Sequence, residues 1–229
     1  MSEIKETSIH REFELERMVL FSDAVFAIAI TLLIIEIKFP ELPEDYKTSP
    51  YLWKMFAPTL LHFLGFFISF FVIGMSWAGH LKMFRYLKTY DNGVIFRNLA
   101  SLFFIVAFPF AASGLTHFTS GFFFPMIIYL GNILLINLTN FLLAHYIFKS
   151  KPFLSIPGHQ EEKKFIYLQT KATALVLGIC YAIILTTAIL SNFDSETVSY
   201  STYSLVLGMP AMKFWLKKYK PKKESASVS

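Results

Sequence analysis

Apolar residues along this chain are grouped into six runs separated by shorter polar segments. A helix that crosses a membrane needs about 20 mainly apolar residues, and most of the runs reach that length. The last run is shorter and contains Gly208 and Pro210. The pattern predicts six transmembrane helices over residues 18–39, 56–83, 98–116, 122–148, 172–190 and 202–215.

The composition agrees with lipid as the solvent of most of the chain. Of the 229 residues, 55% are hydrophobic and 16% are charged, whereas soluble domains carry about 25% charged residues. The runs are too long for the strands of an outer-membrane barrel, which need only about 10 residues. We therefore predict an all-α, polytopic membrane protein with a tail over 1–17, a transmembrane domain over 18–216 and a basic tail over 217–229.

The basic residues predict how the helices are oriented. Of the 21 Lys and Arg, 18 lie in the two tails and in the second and fourth connections. Because basic loops stay on the cytoplasmic side, both termini are expected in the cytoplasm of a multi-pass protein of the cell membrane. The net charge of +5 is explained by this bias, so we expect no nucleic-acid partner.

Catalytic and metal-binding patterns are missing from the sequence. It contains no His-Glu-x-x-His, no Gly-x-Ser-x-Gly and no pair of intramembrane Asp residues. Its single cysteine, Cys180, allows neither a disulfide within the chain nor a cysteine metal site. We expect no enzyme, no metal and no cofactor.

An acidic residue interrupts the first apolar run. Asp23 lies about one turn from the cytoplasmic end of that run, where a carboxylate needs a polar partner. Trp77 and His80, three residues apart on one face of the second helix, carry donors that reach a carboxylate or the hydroxyl of Ser22.

The first helix has an apolar face that points away from this acid. At about 100° per residue, Ile28, Leu32 and Ile35 share one face, with Thr31 within about 60° of Ile28. Asp23 is rotated about 140° from Ile28, so it is expected to face neighbouring helices. Two interpretations of the face are open: it lines a central path, or it packs against lipid or helices. The Thr31 hydroxyl can likewise face the path or bond the carbonyl of Ala27.

These residues carry a resemblance. The pattern Arg17-x-x-x-Phe21-Ser22-Asp23, the run from Ala24 to Thr31 and the pair Trp77-x-x-His80 resemble the lysosomal potassium channel family of the transmembrane protein 175 type. The single set of six helices is similar to that of its bacterial and archaeal members.

The resemblance implies a potassium-preferring cation channel that conducts passively as a homotetramer in the lipid bilayer. The first helix would line the pore, with Ile28 as the apolar constriction and Thr31, Leu32 and Ile35 along the same path. A polar network behind the pore would contain Arg17, Phe21, Ser22, Asp23, Trp77 and His80. The chain has no Thr-Val-Gly-Tyr-Gly segment, so this is not the usual potassium-channel fold.

An alternative is a secondary transporter or proton-coupled carrier that uses Asp23 and His80. Such carriers bind substrate near the middle of the membrane, at helices broken by Gly or Pro. The first helix contains neither residue, which counts against this alternative.

Overall fold

The computed structural model of the chain describes residues 2–37, 52–116 and 123–221. The end of the first predicted run, Phe122 at the start of the fourth and most of the predicted basic tail lie outside these residues. The described α-helices, named α1 to α6, have the bounds Ser2–Leu32, Leu52–Phe84, Asn92–Thr116, Phe124–His145, Gln160–Leu190 and Ser195–Lys217. Within the described ranges the only β pairing is an isolated bridge between Leu87 and Ser155, so the all-α prediction is confirmed.

Five of these helices are long and apolar enough to cross a membrane. Their candidate spans are Phe13–Ile35, His62–Phe84, Asn92–Gly114, Phe124–Ser150 and Gln160–Leu190. The helix α6 has 23 residues, but its first turns carry Glu196 and several Ser and Thr side chains. A helix therefore forms at every predicted position, while the crossing by α6 stays a prediction.

Several helices extend beyond the apolar runs that predicted them. The helix α1 begins at Ser2 rather than near residue 18, and α5 begins at Gln160 rather than near residue 172. Glu, Lys, Gln and Arg are good helix formers, so a helix continues past the point where apolar residues stop. Hydropathy marks the apolar part of a helix and not its ends.

The structure contains two compact units, of which the first comprises Met1–Gly79 and Leu99–Ile136. Its core is formed by apolar side chains from four helices. A hydrogen bond of 3.2 Å between the Ser69 Oγ and the Tyr129 hydroxyl joins α2 to α4 inside this unit. The core residues are Phe26, Ala29, Leu33, Ile73, Leu102, Ile105, Phe108, Tyr129 and Ile136.

The second unit comprises His80–Asn98 and Asn137–Ser229. In it α5 packs along α6, where a Cβ on Gly208 would come within 3.2 Å of both Cys180 Sγ and a methyl group of Val176. Asp194 caps α6, because its carboxylate accepts a hydrogen bond from the Thr197 amide at 2.9 Å. The Thr197 hydroxyl donates to the same carboxylate at 2.6 Å, and the bonds from the hydroxyl and the amide lower the pKa of Asp194.

The connections of the second unit are held together by backbone bonds. The Lys88 amide donates to the Leu154 carbonyl at 2.7 Å, and the Ile156 amide donates to the Tyr86 carbonyl at 3.0 Å. These bonds pair the segment after α2 with the segment before α5.

Candidate functional site

The first helix has one buried and one exposed face. Phe26, Ala29 and Leu33 are almost fully buried in the core of the first unit. On the other side the side chains of Ile28 and Leu32 are 59% and 40% exposed. In a single chain this apolar face has no covering within the described residues.

The exposed face continues beyond the end of the α-helix. A 3₁₀ turn over Leu33–Glu36 follows α1, so the assumption of about 100° per residue is wrong for Ile35. A 3₁₀ turn advances by about 120° per residue. Ile35 is 66% exposed, and its place on the face of Ile28 stays a prediction.

The Thr31 hydroxyl is bonded to its own helix. Thr31 Oγ1 donates to the Ile28 carbonyl at 2.9 Å, and not to the Ala27 carbonyl considered in the sequence analysis. Because the proton of the hydroxyl is used inside the helix, the lone pairs of the oxygen remain available to an electropositive ligand.

The structure brings together Asp23 and Trp77. The indole Nε1–H of Trp77 donates to Asp23 Oδ1 at 2.8 Å, a bond between α1 and α2 inside the first unit. Ser22 is fully buried, and its hydroxyl donates to the Met18 carbonyl at 2.9 Å. Asp23 is half-buried beside Trp77 of α2. Arg17 and Phe21, which were also predicted in this network, are exposed.

His80 has a partner that the sequence analysis did not name. A hydrogen bond of 2.8 Å joins His80 Nε2 to Asn98 Oδ1 within the second unit, and both residues are buried. The imidazole also stacks on the Phe84 ring at 4.1 Å between centroids. The signal in the sequence was the side-chain amide of Asn98, which was treated only as the first residue of the third apolar run.

A second polar cluster lies at the start of α3. Asp91 accepts hydrogen bonds from the Val94 amide at 3.0 Å, the Tyr146 hydroxyl at 2.9 Å and the Lys151 ammonium at 2.6 Å. The Arg97 guanidinium lies 3.9 Å from the centroid of the Tyr146 ring. This cluster was not predicted from the sequence because its members are far apart in the chain.

The cluster changes the protonation of its acid. Partial burial of Asp91 raises its pKa, but the bonds from Lys151, Val94 and Tyr146 outweigh this effect and lower the pKa to about 2. The same carboxylate raises the pKa of Lys151. Asp91 is consequently ionised at neutral pH and ties α3 to the π-helical turn Tyr146–Ser150 at the end of α4.

Metal binding has no support among the described residues, which contain no group of three His, Cys, Asp or Glu side chains that could hold an ion. The buried Cys180 donates its thiol proton to the Ser204 carbonyl at 3.4 Å. The chemistry available on α1 is that of an apolar face carrying one hydroxyl, with a carboxylate–indole pair behind it.

Residues 17–109 match the family model described as "Endosomal/lysosomal potassium channel TMEM175". These residues are thus similar to the TMEM175 family over 93 of the 229 residues of the chain. The matched segment contains every site residue predicted from the sequence, from Arg17 to His80, so the resemblance named in the sequence analysis is confirmed. The description of the matching model is that of an ion channel.

Individual proteins show the same similarity. The chain is 35% identical over 102 residues to a potassium channel of Streptomyces collinus. This alignment covers 44% of this chain and 48% of that protein. It is 33% identical over 104 residues to a potassium channel of a Chryseobacterium species, covering 44% and 50%. The alignments thus span about half the length of these curated relatives. The Danio rerio endosomal/lysosomal proton channel TMEM175 aligns over 88% of this chain and 37% of its own length, at 21% identity.

A solved structure shares the fold. The crystal structure of a lysosomal potassium-selective channel TMEM175 homolog from Chamaesiphon minutus superposes with a TM-score of 0.64. The match covers 91% of this chain and 99% of that chain, at 22% sequence identity. The protein is therefore a helical membrane protein with the fold of that homolog.

Proposed function

We propose that the chain is a potassium-preferring cation channel that conducts passively, with its pore lined by the exposed face of α1 in a homotetramer. The single observation that carries this proposal is the two-faced first helix. One face is buried in the core of the first unit, and the other presents Ile28, Leu32 and Ile35 uncovered. The names of the two bacterial relatives, both potassium channels, support the choice of ion.

Around a fourfold axis, the uncovered face would meet its own copies. Four Ile28 side chains would then form a ring that closes the path by excluding water. When such a ring opens slightly, a passing cation sheds part of its hydration shell, and potassium loses its water at a smaller cost than sodium. Passage through this constriction therefore favours potassium without a carbonyl filter.

Thr31 would contribute oxygen ligands next to the constriction. Its hydroxyl donates to the Ile28 carbonyl, so the oxygen presents lone pairs rather than a proton to the path. A ring of four such oxygens replaces part of the water that the cation loses. The bond from Trp77 to Asp23 supports this arrangement from behind, since it fixes the rotation of α1 against α2.

Membrane placement follows from the distribution of charge. With 18 of the 21 basic residues in the tails and the second and fourth connections, we expect both termini in the cytoplasm. The channel would then lie in the cell membrane with α6 as a sixth crossing.

Replacement of Ile28 tests the proposed constriction. In planar bilayers, Ile28→Asn is expected to raise single-channel conductance because a polar ring stays hydrated. Ile179→Asn is the matched control, since this isoleucine of α5 is equally exposed, at 61%, and is not on α1. Equal conductance of wild type and Ile28→Asn would remove Ile28 from the pore.

Replacement of Thr31 tests the role of the hydroxyl ring. Thr31→Val keeps the shape of the side chain and removes its oxygen, so the preference for potassium over sodium is expected to fall while conduction persists. The reversal potential under bi-ionic conditions measures this preference. An unchanged reversal potential would show that selectivity arises elsewhere on the path.

A second candidate function is proton conduction, favoured by the name of the Danio rerio relative, a proton channel that aligns over 88% of this chain. Currents measured under a pH gradient without a potassium gradient distinguish proton conduction from potassium conduction. Currents that reverse at the proton equilibrium potential would support proton conduction. Saturable uptake that follows the gradient would instead support the carrier that uses Asp23 and His80.

A further inference from the structure

A cavity in the second unit is lined by an excess of lysines. It has a volume of about 580 Å³ and lies where α4 ends and α5 begins. Four lysines and one acid line it, so its formal charge is strongly positive. These charged residues are Lys88, Lys149, Glu161, Lys163 and Lys164.

One of these lysines is buried without an acidic partner. Lys163 is 6% exposed, and its ammonium donates to Ser155 Oγ at 3.2 Å and to the Ile156 carbonyl. Both acceptors are neutral, and none of the described carboxylates forms an ion pair with Lys163. A buried charge is costly unless an opposite charge accompanies it. The ammonium also has a third proton to donate, so the site is suited to an anion.

The position of the cavity indicates the kind of anion. Lys149 is near the end of the candidate span Phe124–Ser150, and Lys163 and Lys164 are near the start of the span Gln160–Leu190. The ends of membrane helices lie at the level of the lipid headgroups, where clustered lysines attract anionic lipid. Tyr167 also lines the cavity, with the Lys149 ammonium 5.5 Å from the centroid of its ring, and gives it an aromatic wall typical of this level.

A neighbouring cavity extends the basic surface. It has a volume of about 510 Å³ and shares Gln160, Glu161 and Lys164 with the first. It is also lined by Glu162 and by Lys218 and Lys220 from the segment after α6, so its lysines exceed its acids by one. The basic tail predicted from the sequence thus begins beside the lysine cavity.

We propose that the lysine cavity binds a phosphate group, with the phosphate of an anionic lipid headgroup as its source. Lys163 would pair with the phosphate at the base of the cavity, and the exposed lysines 88, 149 and 164 at its rim would attract the headgroup. Such a site is independent of ion conduction and would anchor the ends of α4 and α5 to one leaflet.

Binding to the purified full chain in detergent tests the proposal. Short-chain phosphatidic acid, phosphatidylglycerol and phosphatidylcholine are titrated and the bound states are counted by native mass spectrometry. We expect phosphatidic acid to bind best, because it has the most highly charged phosphate, and phosphatidylcholine to bind least. The double variant Lys88→Gln/Lys149→Gln is expected to lose about tenfold in affinity for the anionic lipids, and Lys163→Met more.

A control and a second ligand distinguish the outcomes. Lys171→Gln removes an exposed charge from the same helix outside the cavity and should leave binding unchanged. If Lys163→Met does not fold, the rim variant Lys88→Gln/Lys149→Gln still tests the proposed binding. Protection of the chain against thermal unfolding by inorganic phosphate, lost in the rim variant, would identify free phosphate as the source. Equal binding of all three lipids, or equal affinity in the rim and control variants, would overturn the proposal.

Discussion

The bond between Trp77 and Asp23 is expected to couple the two residues energetically. Trp77→Phe removes the indole donor and keeps an aromatic ring, and Asp23→Asn removes the charge of the acceptor. A hydrogen bond to a charged group contributes about 1.5–3 kcal/mol. Trp77 is 39% exposed, and solvent weakens the bond, so we expect an interaction around or below the lower end of that range, about 1–2 kcal/mol.

A double-mutant cycle isolates that interaction from the loss of packing caused by each substitution. The free energy of unfolding of the wild type, both single variants and the double variant is measured by far-ultraviolet circular dichroism in detergent. The double variant should be more stable than the sum of the two single effects predicts, by about 1–2 kcal/mol. Trp215→Phe combined with Asp23→Asn is the control cycle, because Trp215 packs against Tyr219 on the other unit.

The control cycle should be additive within about 0.5 kcal/mol. If the Trp77 cycle is additive to the same degree, the carboxylate–indole pair does not hold α1 against α2. The orientation of the exposed face would then need another cause, such as the apolar core around Phe26.

Two further predictions concern the cluster around Asp91. Its pKa of about 2 means that the stabilisation is complete above the ordinary value near 3.8 and is lost as the pH falls toward 2. Asp91→Asn should therefore destabilise the protein by about 1–2 kcal/mol at pH 6, after discounting for partial exposure. The free energies of unfolding of the wild type and the variant, measured from pH 5 to 2, should become more similar as the pH falls. A difference between them that stays constant would contradict the lowered pKa of Asp91. Gly93→Ala should destabilise it by at least about 1 kcal/mol, because the new Cβ would overlap the Tyr146 hydroxyl. Gly74→Ala meets nothing within 4 Å and should stabilise its helix by up to about 1 kcal/mol, as thermal unfolding would show; equal effects of the two substitutions would refute the steric argument.

The sequence contained enough information for the helices and for the two faces of α1. Long apolar runs predict membrane helices because the bilayer fixes their length. At 3.6 residues per turn, Ile28 and Phe26 are expected on opposite faces of α1. The carboxylate of Asp23 also pointed to a donor such as Trp77, since an acid at that depth needs a partner.

Details that depend on tertiary contacts were beyond the sequence. The change to a 3₁₀ turn after Leu32 has no Gly or Pro to announce it. The pairing of His80 with Asn98 and the meeting of Asp91 with Lys151 need the packing of separate helices and connections. The acceptor of the Thr31 hydroxyl depends on a choice between two carbonyls of one helical turn.

The proposal that this chain forms a potassium-preferring channel is best tested by the reversal potential of the purified protein. The protein is placed in a planar bilayer with potassium on one side and sodium on the other. We expect a stable single-channel current that reverses toward the potassium equilibrium potential. A current that reverses near zero, or uptake that saturates and follows a proton or sodium gradient without any channel current, would contradict it.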